Sequence, residues 1–176
     1  MIEYKRASTD EELSQILAIQ QRNLPEYISF EEIKEEGFVT VHHDFALLKE
    51  MNEACAHVIA TSNNEVIGYT LCMHPKFGDE IPVLRAMFSE IQKQLGHGKA
   101  YIVMGQVCVD KPFRKKGVFR KLYETMLDCI RADFERIVTE VDVNNQRSLA
   151  AHYGVGFQLL SKYRSDGRDW ELIVLE

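Results

Sequence analysis

The spacing of apolar residues along the chain predicts an alternation of helices and strands. The clearest helix repeats an apolar residue every four positions, at Val118, Leu122, Met126, Ile130 and Phe134. Thr9 and Glu12 have the spacing of a capping box, which predicts that a first helix begins there. Ser29 and Glu32 repeat this spacing, so a second short helix is expected to end near Gly37. Further helices are predicted over residues 46–55, 83–95 and 146–153.

Strands are predicted over residues 2–7, 57–61, 65–73, 101–110, 137–143, 157–163 and 170–175. The second and third flank Ser62-Asn63-Asn64, a turn-forming spacer that is typical of a hairpin. Residues 101–110 are almost continuously apolar, which predicts a central strand that is buried on both faces. The early strands are linked by hairpins, whereas those on either side of the long helix require a parallel crossover. The sequence therefore predicts an α+β fold built on one mixed sheet.

The bulk composition narrows the class of protein. A chain of 176 residues with 45% hydrophobic content predicts a single domain over residues 1–176. Its 21 basic and 27 acidic residues give a net charge of −6, which argues against a nucleic-acid-binding protein. The four cysteines form no CxxC pair and are expected to be reduced, as in a cytoplasmic protein. We see neither an apolar leader nor a run of about 20 apolar residues, so no membrane association is expected.

A basic segment, residues 110–121, connects the central strand to the long helix, and we call it the cationic loop. Six of the eleven residues from position 111 to position 121 are Lys or Arg. Cations at a helix N-terminus oppose the helix dipole, which favours anionic side chains there by ~0.3–1 kcal/mol each. Open backbone amides and surplus positive charge together predict an anion site, most naturally for phosphate. Gly117 lets the backbone approach such a ligand closely.

Other interpretations of these motifs are less favoured. The sequence contains no GxxxxGKS/T phosphate loop, and Gly154-Val155-Gly156 follows a predicted helix where a dinucleotide fingerprint follows a strand. A solvated basic turn is the ordinary explanation of a charge run, but the strand–loop–helix context and the glycine favour the anion site. The segment His42-His43-Asp44 lacks a third ligand at metal spacing, so no metal site is predicted.

The cationic loop resembles the pyrophosphate loop of the GNAT superfamily of N-acetyltransferases. In that signature Gln or Arg is followed by Gly three residues on, and by Gly or Ala two residues after that. Arg114 and Gly117 match, while Phe119 departs from the small residue. A second stretch is similar to the family's strand–Asn–helix–Gly-Phe ending, and it matches at Asn145, Ser148, His152 and Gly156-Phe157. The resemblance covers residues 101–157.

This resemblance implies a fold and a cofactor. A GNAT-type domain has a central, mostly antiparallel sheet flanked by helices, with a parallel crossover after the strand that binds coenzyme A. Acetyl-CoA is the implied co-substrate, and its pyrophosphate would bind the loop at Arg114, Lys115, Lys116, Gly117, Val118, Phe119 and Arg120. Its pantetheine arm would pair with the preceding strand near Val107 and Val109. Asn145 and Ser148 complete the implied cofactor set, and Asn145 can also cap a helix.

The implied reaction is direct transfer of an acetyl group to a primary amine in a ternary complex, without a covalent enzyme intermediate. Glu140 is the candidate base, by resemblance to relatives that modify peptide N-termini, and a water relay is the alternative. His152 stands where many relatives have a tyrosine, so it is the candidate proton donor or a partner of the CoA sulfur. Its neighbour Tyr153 is expected to pack, and Cys108 is expected to be a structural thiol.

The acceptor is left open between small molecules and peptides, and so is the length of the acyl chain. Relatives build the acceptor site from the region of residues 20–43, where Tyr27, Phe38 and His43 are candidates. A homodimer is the default oligomeric state. Two other functions remain open. One is a non-catalytic module that binds or senses coenzyme A, which Phe119 favours, and the other is a nucleic-acid-binding domain that uses the cationic loop.

Overall fold

The computed structural model of the protein describes residues 1–31, 33, 38–39, 41–78, 81–96 and 100–176. Within these residues the strands are β1 (Ile2–Arg6), β2 (Val58–Ser62), β3 (Glu65–Met73), β4 (Tyr101–Val109), β5 (Arg136–Asp142), β6 (Gln158–Ser165) and β7 (Arg168–Leu175). The α-helices are α1 (Asp10–Arg22), α2 (Phe45–Ala54), α3 (Arg85–Leu95), α4 (Val118–Ile130) and α5 (Gln146–Val155). Short 3₁₀ turns lie at Pro25–Tyr27, Pro75–Gly78, Pro82–Leu84 and Lys111–Phe113.

The strands form one sheet in the order β1-β2-β3-β4-β5-β7-β6. β4 and β5 are parallel, and α4 provides the crossover between them. The pairs β1–β2, β2–β3, β5–β7 and β6–β7 are antiparallel. The α+β class and the mixed, mostly antiparallel sheet are therefore confirmed, as is the parallel crossover around the long helix.

Local sequence signals explain where several elements begin. Thr9 Oγ1 accepts a hydrogen bond from the Glu12 amide (3.2 Å), and the Glu12 carboxylate accepts one from the Thr9 amide (3.2 Å). This reciprocal pair is the predicted capping box of α1. Asn63 and Asn64 have φ angles of 52° and 64°, which are the left-handed values of a two-residue hairpin turn between β2 and β3. Both predictions are confirmed.

The chain divides into two compact units. The first comprises Met1–Met73 and Met104–Cys129, and the second comprises His74–Val103 and Ile130–Glu176. Side chains excluded from solvent form the core of the first unit, among them Ile16, Leu48, Tyr69, Leu122 and Tyr123. In the second unit they include Phe77, Ile91, Ile102, Ile137 and Leu172. The single domain over residues 1–176 stays a prediction.

Two helix predictions differ in extent from the structure. α4 ends at Ile130, whereas the four-residue spacing continues to Phe134. The Phe134 amide donates to Ile130 O (2.9 Å), so Phe134 closes the turn that follows the helix. For the helix predicted from Ser29, the Ile33 amide donates to Ser29 O (3.0 Å), which forms one helical turn. Position 32 and the continuation to residue 37 lie outside the described residues.

The predicted burial of β4 holds for only part of the strand. Residues 102–104 are buried, but Gly105 is exposed, and Gln106 and Val107 are half-buried. The expectation of burial on both faces is therefore wrong for the middle of β4. An apolar run identifies a strand in the interior of a sheet, but it does not reveal a stretch of that strand that is left accessible.

The four cysteines are free thiols, of which Cys72 and Cys108 are buried and Cys55 and Cys129 are half-buried. Burial raises the pKa of Cys108 to about 11, so this thiol stays protonated at neutral pH. That state agrees with the structural role expected for Cys108. Among the described residues, none of the helices combines the length and the apolar character that crossing a bilayer requires.

Candidate active site

The cationic loop begins where β4 ends, and its backbone turns twice before α4 starts. The Asp110 amide donates to Ile67 O of β3 (2.8 Å), which fixes the start of the loop on the sheet. Lys115 and Gly117 then adopt left-handed φ angles of 59° and 80°. A glycine suits the second of these positions because a side chain at such a φ is strained.

The first turn of α4 presents its backbone amides at the end of the cationic loop. The Lys121 amide makes the first bond of the helical ladder, to Gly117 O (3.1 Å). Amides that precede such a bond point out of the end of the helix. A Cβ added to Gly117 would meet no atom within 4 Å, so the space beside this residue is open. Open space, outward amides and a positive helix end fit a phosphate group.

Positive side chains surround this helix end. Lys115 and Lys116 are exposed, and Lys116 Nζ lies 5.6 Å from the centroid of the Phe113 ring. Lys121, further along the helix, forms an ion pair with Glu124 (3.1 Å). The two exposed lysines add to the positive end of the α4 dipole, so the loop favours an anion with more than one charge, such as a diphosphate.

Arg114 differs from these lysines because its side chain folds back onto the protein. Its Nε donates to Val109 O (2.9 Å), and its Nη2 donates to Asn23 Oδ1 (2.5 Å). Next to it, the Asp110 carboxylate accepts two hydrogen bonds from Arg22 (3.0 and 2.8 Å). Burial raises the pKa of Asp110, but the hydrogen bonds and charge of Arg22 outweigh burial and hold that pKa below its usual range. Arg114 thus braces the end of β4, and its role in cofactor binding stays a prediction.

Phe119, which stands where the family signature has a small residue, lies along its own helix. Its half-buried ring meets the ring of Tyr123 edge-on, with centroids 5.2 Å apart. Tyr123 is fully buried, so it anchors Phe119 against the next turn of α4. The adjacent Arg120 is exposed. Packing along α4 therefore accommodates the departure from the signature.

Alternation along β4 determines which backbone groups are directed away from β3. The Asp110 amide donates to Ile67 O of β3, and in a regular strand the residues at even spacing from Asp110 face the same neighbour. The odd-numbered residues, including Val107 and Val109, direct their amides and carbonyls the opposite way. Val109 O already accepts the Arg114 side chain. The geometry thus favours Val107 over Val109 for pairing with an extended ligand, and both roles stay predictions.

In the second unit, Glu140 of β5 is a half-buried carboxylate. Its Oε2 accepts a hydrogen bond from the hydroxyl of Tyr163 on β6. Burial raises the pKa of Glu140 to about 7. A carboxylate with such a pKa exchanges a proton readily at neutral pH, as a general base must. Sequence reasoning singled out Glu140 but missed Tyr163, because only the strand register brings these two residues together.

A second carboxylate of the same unit has a different environment. Glu90 of α3 accepts hydrogen bonds from Ser161 Oγ (2.6 Å), from Gln94 Nε2 (2.9 Å) and from Lys93 Nζ (3.1 Å). The hydrogen bond from Ser161 is the largest cause that lowers the pKa of Glu90. Glu140, in contrast, forms no ion pair with any residue that the structure describes. A carboxylate that is half-buried without a cation is a candidate for function rather than for stability.

His152 is a buried residue of α5. Asn145 caps this helix, because its Oδ1 accepts the Ser148 amide (3.1 Å). One turn further on, the His152 ring is edge-on to Phe157, with centroids 5.1 Å apart. His152 Nδ1 lies 2.7 Å from Ser148 O, and since a carbonyl oxygen only accepts, Nδ1 carries the hydrogen.

This environment bears on the two roles predicted for His152. Burial lowers the pKa of His152 to about 4, so the imidazole is neutral at pH 7 and its Nε2 bears the lone pair. These facts oppose the role of proton donor, because the protonated form is scarce at neutral pH. The role of hydrogen-bond partner to the CoA sulfur stays a prediction, as do the cofactor roles of Asn145 and Ser148.

Tyr153 does not pack as expected. Its side chain is 39% exposed, and its hydroxyl donates a hydrogen bond to Glu171 of β7. Glu171 also forms an ion pair with Lys162 of β6 (2.7 Å). Tyr153 follows His152 by one residue, a step of about 100° around the helix, so its side chain lies beside Glu171 and Lys162 and not in the core.

The three acceptor candidates have different surroundings. Tyr27 is 58% exposed and Phe38 is half-buried. The His43 amide donates to Oε1 of the buried Gln20 (2.9 Å), and burial lowers the pKa of His43 to about 4. A neutral imidazole does not repel a cationic acceptor. The acceptor roles of all three residues stay predictions.

A glutamine on β4 holds the segment that leads to His43. Gln106 Nε2 donates to Val41 O (2.8 Å), and Gln106 Oε1 accepts the hydroxyl of the buried Tyr69 (2.5 Å). Sequence reasoning missed these contacts because they join residues from three separate parts of the chain. The only local signal was a polar residue inside an apolar strand.

Comparison with known proteins gives the family. Residues 16–157, most of the chain, match the profile of the acetyltransferase (GNAT) family. The chain belongs to the GNAT family. This GNAT protein is accordingly an acetyl-CoA-dependent N-acetyltransferase, and acetyl-CoA is its co-substrate. A search of curated protein sequences gave no match.

Solved structures with the same fold include three acetyltransferases. The ribosomal-protein-S18-alanine N-acetyltransferase from Escherichia coli has a TM-score of 0.65 and 14% identity, over 99% of this GNAT chain and 93% of that one. YncA from Salmonella typhimurium, a putative acetyltransferase solved with its cofactor acetyl-CoA, gives 0.64 and 17%, over 99% and 93%. Naa50 from Arabidopsis thaliana, in complex with the bisubstrate analogue CoA-Ac-MVNAL, gives 0.66 and 14%, over 99% and 98%.

Proposed function

We propose that this GNAT enzyme transfers the acetyl group of acetyl-CoA directly to a primary amine of a small molecule or a peptide. The observation that carries the proposal is Glu140, a half-buried carboxylate that has a hydroxyl partner and no cation among the described residues. Such a group can take a proton from an amine. The neighbours that act on a ribosomal-protein alanine and that hold a CoA–peptide analogue make peptides a reasonable part of the acceptor class.

In this proposal the cationic loop holds the cofactor. Amides of the first turn of α4 bind the pyrophosphate, and Lys115 and Lys116 neutralise its charge. Because Gly117 has no side chain, the pyrophosphate can approach the backbone of the loop closely. The backbone of Val107 pairs with the pantetheine arm as an added strand would.

The proposed chemistry has one bond formed and one broken. Glu140 takes a proton from the acceptor ammonium, and the neutral nitrogen then attacks the thioester carbon. The carbon–sulfur bond breaks, the amide forms, and the thiolate of coenzyme A takes up the second proton of the nitrogen. His152 accepts a hydrogen bond from the resulting thiol through Nε2, which is consistent with its neutral form. No protein nucleophile takes part, in keeping with the protonated Cys108 thiol.

The alternative left open by the sequence is a module that binds or senses coenzyme A without transferring its acetyl group, and the family match argues against it. Phe119 at the small position of the signature and the scarcity of protonated His152 are the two features that such a module would explain. Either function is compatible with a cytoplasmic protein that has no nucleic-acid partner, which we also propose. The net charge of −6 and the four free thiols support that part.

Thiol release from acetyl-CoA distinguishes the two functions. The panel of acceptors consists of spermidine, L-lysine and the peptide Met-Val-Asn-Ala-Leu, and a parallel assay measures thermal stabilisation by coenzyme A. We expect stabilisation together with amine-dependent thiol release, and loss of the release in Glu140→Gln. Stabilisation without release on any amine would contradict the enzyme and support the module. Failure of coenzyme A to stabilise the protein at millimolar concentration would contradict both.

A further inference from the structure

Two hydroxyl–carboxylate pairs lie next to each other in the second unit. The hydroxyls come from Ser161 and Tyr163, which are two residues apart on β6 and therefore point to the same face of the sheet. Ser161 donates to Glu90, and Tyr163 donates to Glu140. Both pairs join a hydroxyl donor to a carboxylate, so a difference in the surroundings of the two carboxylates indicates a difference in their roles.

The strand register explains how Tyr163 reaches Glu140. β7 lies between β5 and β6, with Glu140 opposite Leu172 and Tyr163 opposite Trp170. Strands two positions apart are separated by about 10 Å. A long side chain is needed to span that distance, and tyrosine has both the length and the donor. The contact therefore depends on this residue type at this position.

The two carboxylates differ in the charges around them. Glu90 has a cation, Lys93, which lies 3.1 Å away. On β5 and β7, the other charged residues on the face of Glu140 are Arg136, Asp142 and Arg168. Arg136 forms ion pairs with Glu135 and Glu176 (both 3.0 Å), and Arg168 approaches Asp142 to 3.9 Å. α3 brings Glu90 and its lysine to the same face of β6. None of these groups forms an ion pair with Glu140, and among the described residues the hydroxyl of Tyr163 is the side-chain donor to its carboxylate.

We propose that Tyr163 is a positioning residue that fixes Oε2 of Glu140, so that Oε1 is directed to the acceptor, which binds as an ammonium ion. This inference rests on the proposed function and adds the form in which the acceptor arrives. The ammonium supplies the positive charge that Lys93 supplies to Glu90. Proton transfer then leaves a neutral amine beside a protonated carboxyl, which the half-buried site accommodates well.

Removal of the Tyr163 hydroxyl has a predictable effect on proton affinity. A hydrogen bond that is donated to a carboxylate stabilises the ionised form, so its loss raises the pKa of the group. In Tyr163→Phe we expect the pKa of Glu140 to rise by about one unit. The ionised fraction at pH 7 then falls about fivefold, and it recovers near pH 9. Ser161→Ala is the matched control, because it removes a hydroxyl from the same strand and leaves Glu140 its partner.

The test is a titration of the ¹³C-labelled Glu carboxyls by NMR, with Glu140→Gln used to assign the resonance. It is performed on wild type, Tyr163→Phe and Ser161→Ala, and it needs no acceptor. A Glu140 midpoint that rises in Tyr163→Phe and stays unchanged in Ser161→Ala supports the positioning role. An unchanged midpoint in Tyr163→Phe, or an equal rise in both variants, overturns it. Tyr163→Leu serves in the same way if Tyr163→Phe does not fold.

A second measurement tests the ammonium. Addition of spermidine to wild type should lower the Glu140 midpoint, because a cation at Oε1 favours the carboxylate. The neutral analogue triethylene glycol should leave it unchanged. If Met-Val-Asn-Ala-Leu is the amine acetylated in the panel, it replaces spermidine and its N-acetylated form is the neutral analogue. No shift with the amine, or an equal shift with its neutral analogue, contradicts ammonium binding.

If no amine in the panel is acetylated, the proposed function fails, whereas the titration of the variants still decides the role of Tyr163.

Discussion

The cationic loop and the Glu140–Tyr163 pair are built in opposite ways. The loop concentrates lysines at a helix end that is already positive, and the binding that we propose for it uses backbone amides that are neighbours in sequence. The pair places a half-buried carboxylate next to a hydroxyl that lies 23 positions away in sequence, on another strand, and its proposed role depends on side chains. Lys115 and Lys116 of the loop, like Glu140 of the pair, form no ion pair with a residue that the structure describes. This shared feature supports the two ligands that we propose, an anion at the loop and a cation at the pair.

Substitution of the carboxylate should give the largest effect. Glu140→Gln keeps the size and can still accept the Tyr163 hydroxyl, but it cannot take a proton. Loss of a general base lowers the rate by about 10²–10⁴-fold. We expect kcat for amine-dependent thiol release to fall within that range, with little change in the affinity for coenzyme A.

Glu90→Gln is the control for that comparison, since Glu90 lies on the same face and its carboxylate is neutralised by Lys93. Its kcat should stay within about twofold of wild type. Equal losses in the two variants would show that the special role assigned to Glu140 is wrong. A retained rate in Glu140→Gln would favour the water relay as the base.

Gly117→Val should give the largest effect on the cofactor side. Valine at a φ of 80° is strained by about 1–3 kcal/mol, and its branched side chain occupies the open space beside the loop. The dissociation constant of coenzyme A, measured by calorimetry, should rise by at least about tenfold.

Gly167→Val is the matched control for the loop. Gly167 lies in the turn between β6 and β7, has a φ of 76°, and has no atom within 4 Å of an added Cβ. The backbone penalty is therefore the same, but the residue is outside the cationic loop. If both variants lost affinity equally, general destabilisation would explain the result and the loop assignment would lose its support.

The cationic loop is formed by neighbours in sequence, whereas the Glu140–Tyr163 pair is formed by two distant strands, and this difference explains what sequence alone could predict. The capping box of α1, the hairpin turn at Asn63 and Asn64, and the strand–loop–helix around Gly117 are local signals, and all three lie where they were predicted. Tyr163 was missed because the contact with Glu140 depends on β7 lying between two other strands. A single sequence without pairing information does not specify that order.

Burial was the other quantity that local patterns could not provide. From its place in a motif, His152 was predicted as a proton donor or as a partner of the CoA sulfur. Its pKa of about 4, which opposes the first role, follows from its surroundings. The apolar run of β4 predicted a fully covered strand, whereas Gly105 is exposed. In each case the residue type was read correctly, but the environment depends on elements that are distant in sequence.

The stability of the protein should show the cost of the Glu140 environment. The pKa of Glu140 is about 7 in the folded protein and near 4.5 when unfolded, so the folded state binds more protons between these values. Its contribution to stability is fully present below pH 4.5 and is lost as the pH rises through 7. Glu140→Gln escapes this loss. The shift from 4.5 to about 7 corresponds to about 3 kcal/mol at alkaline pH. The Tm of Glu140→Gln should therefore exceed that of wild type by roughly 6–12 °C at pH 8.5 and equal it at pH 4.5, as measured by calorimetry. An equal difference at both pH values would mean that packing, not ionisation, separates the two proteins.

Single charges of the cationic loop should give the smallest effect. Lys116 is exposed, and Lys116→Gln removes one cation from a helix end whose amides remain in place. Exposed charges contribute weakly, so the dissociation constant of coenzyme A should rise by only about 2–5-fold at low salt. The difference from wild type should shrink near 0.5 M salt, because screening at that concentration acts over roughly 4 Å. Lys121→Gln is the control, because that lysine is paired with Glu124, and it should change the affinity less. If Lys116→Gln weakened binding as strongly as Gly117→Val, side-chain charge rather than backbone amides would hold the diphosphate, and the contrast between a backbone site and a side-chain site would no longer stand.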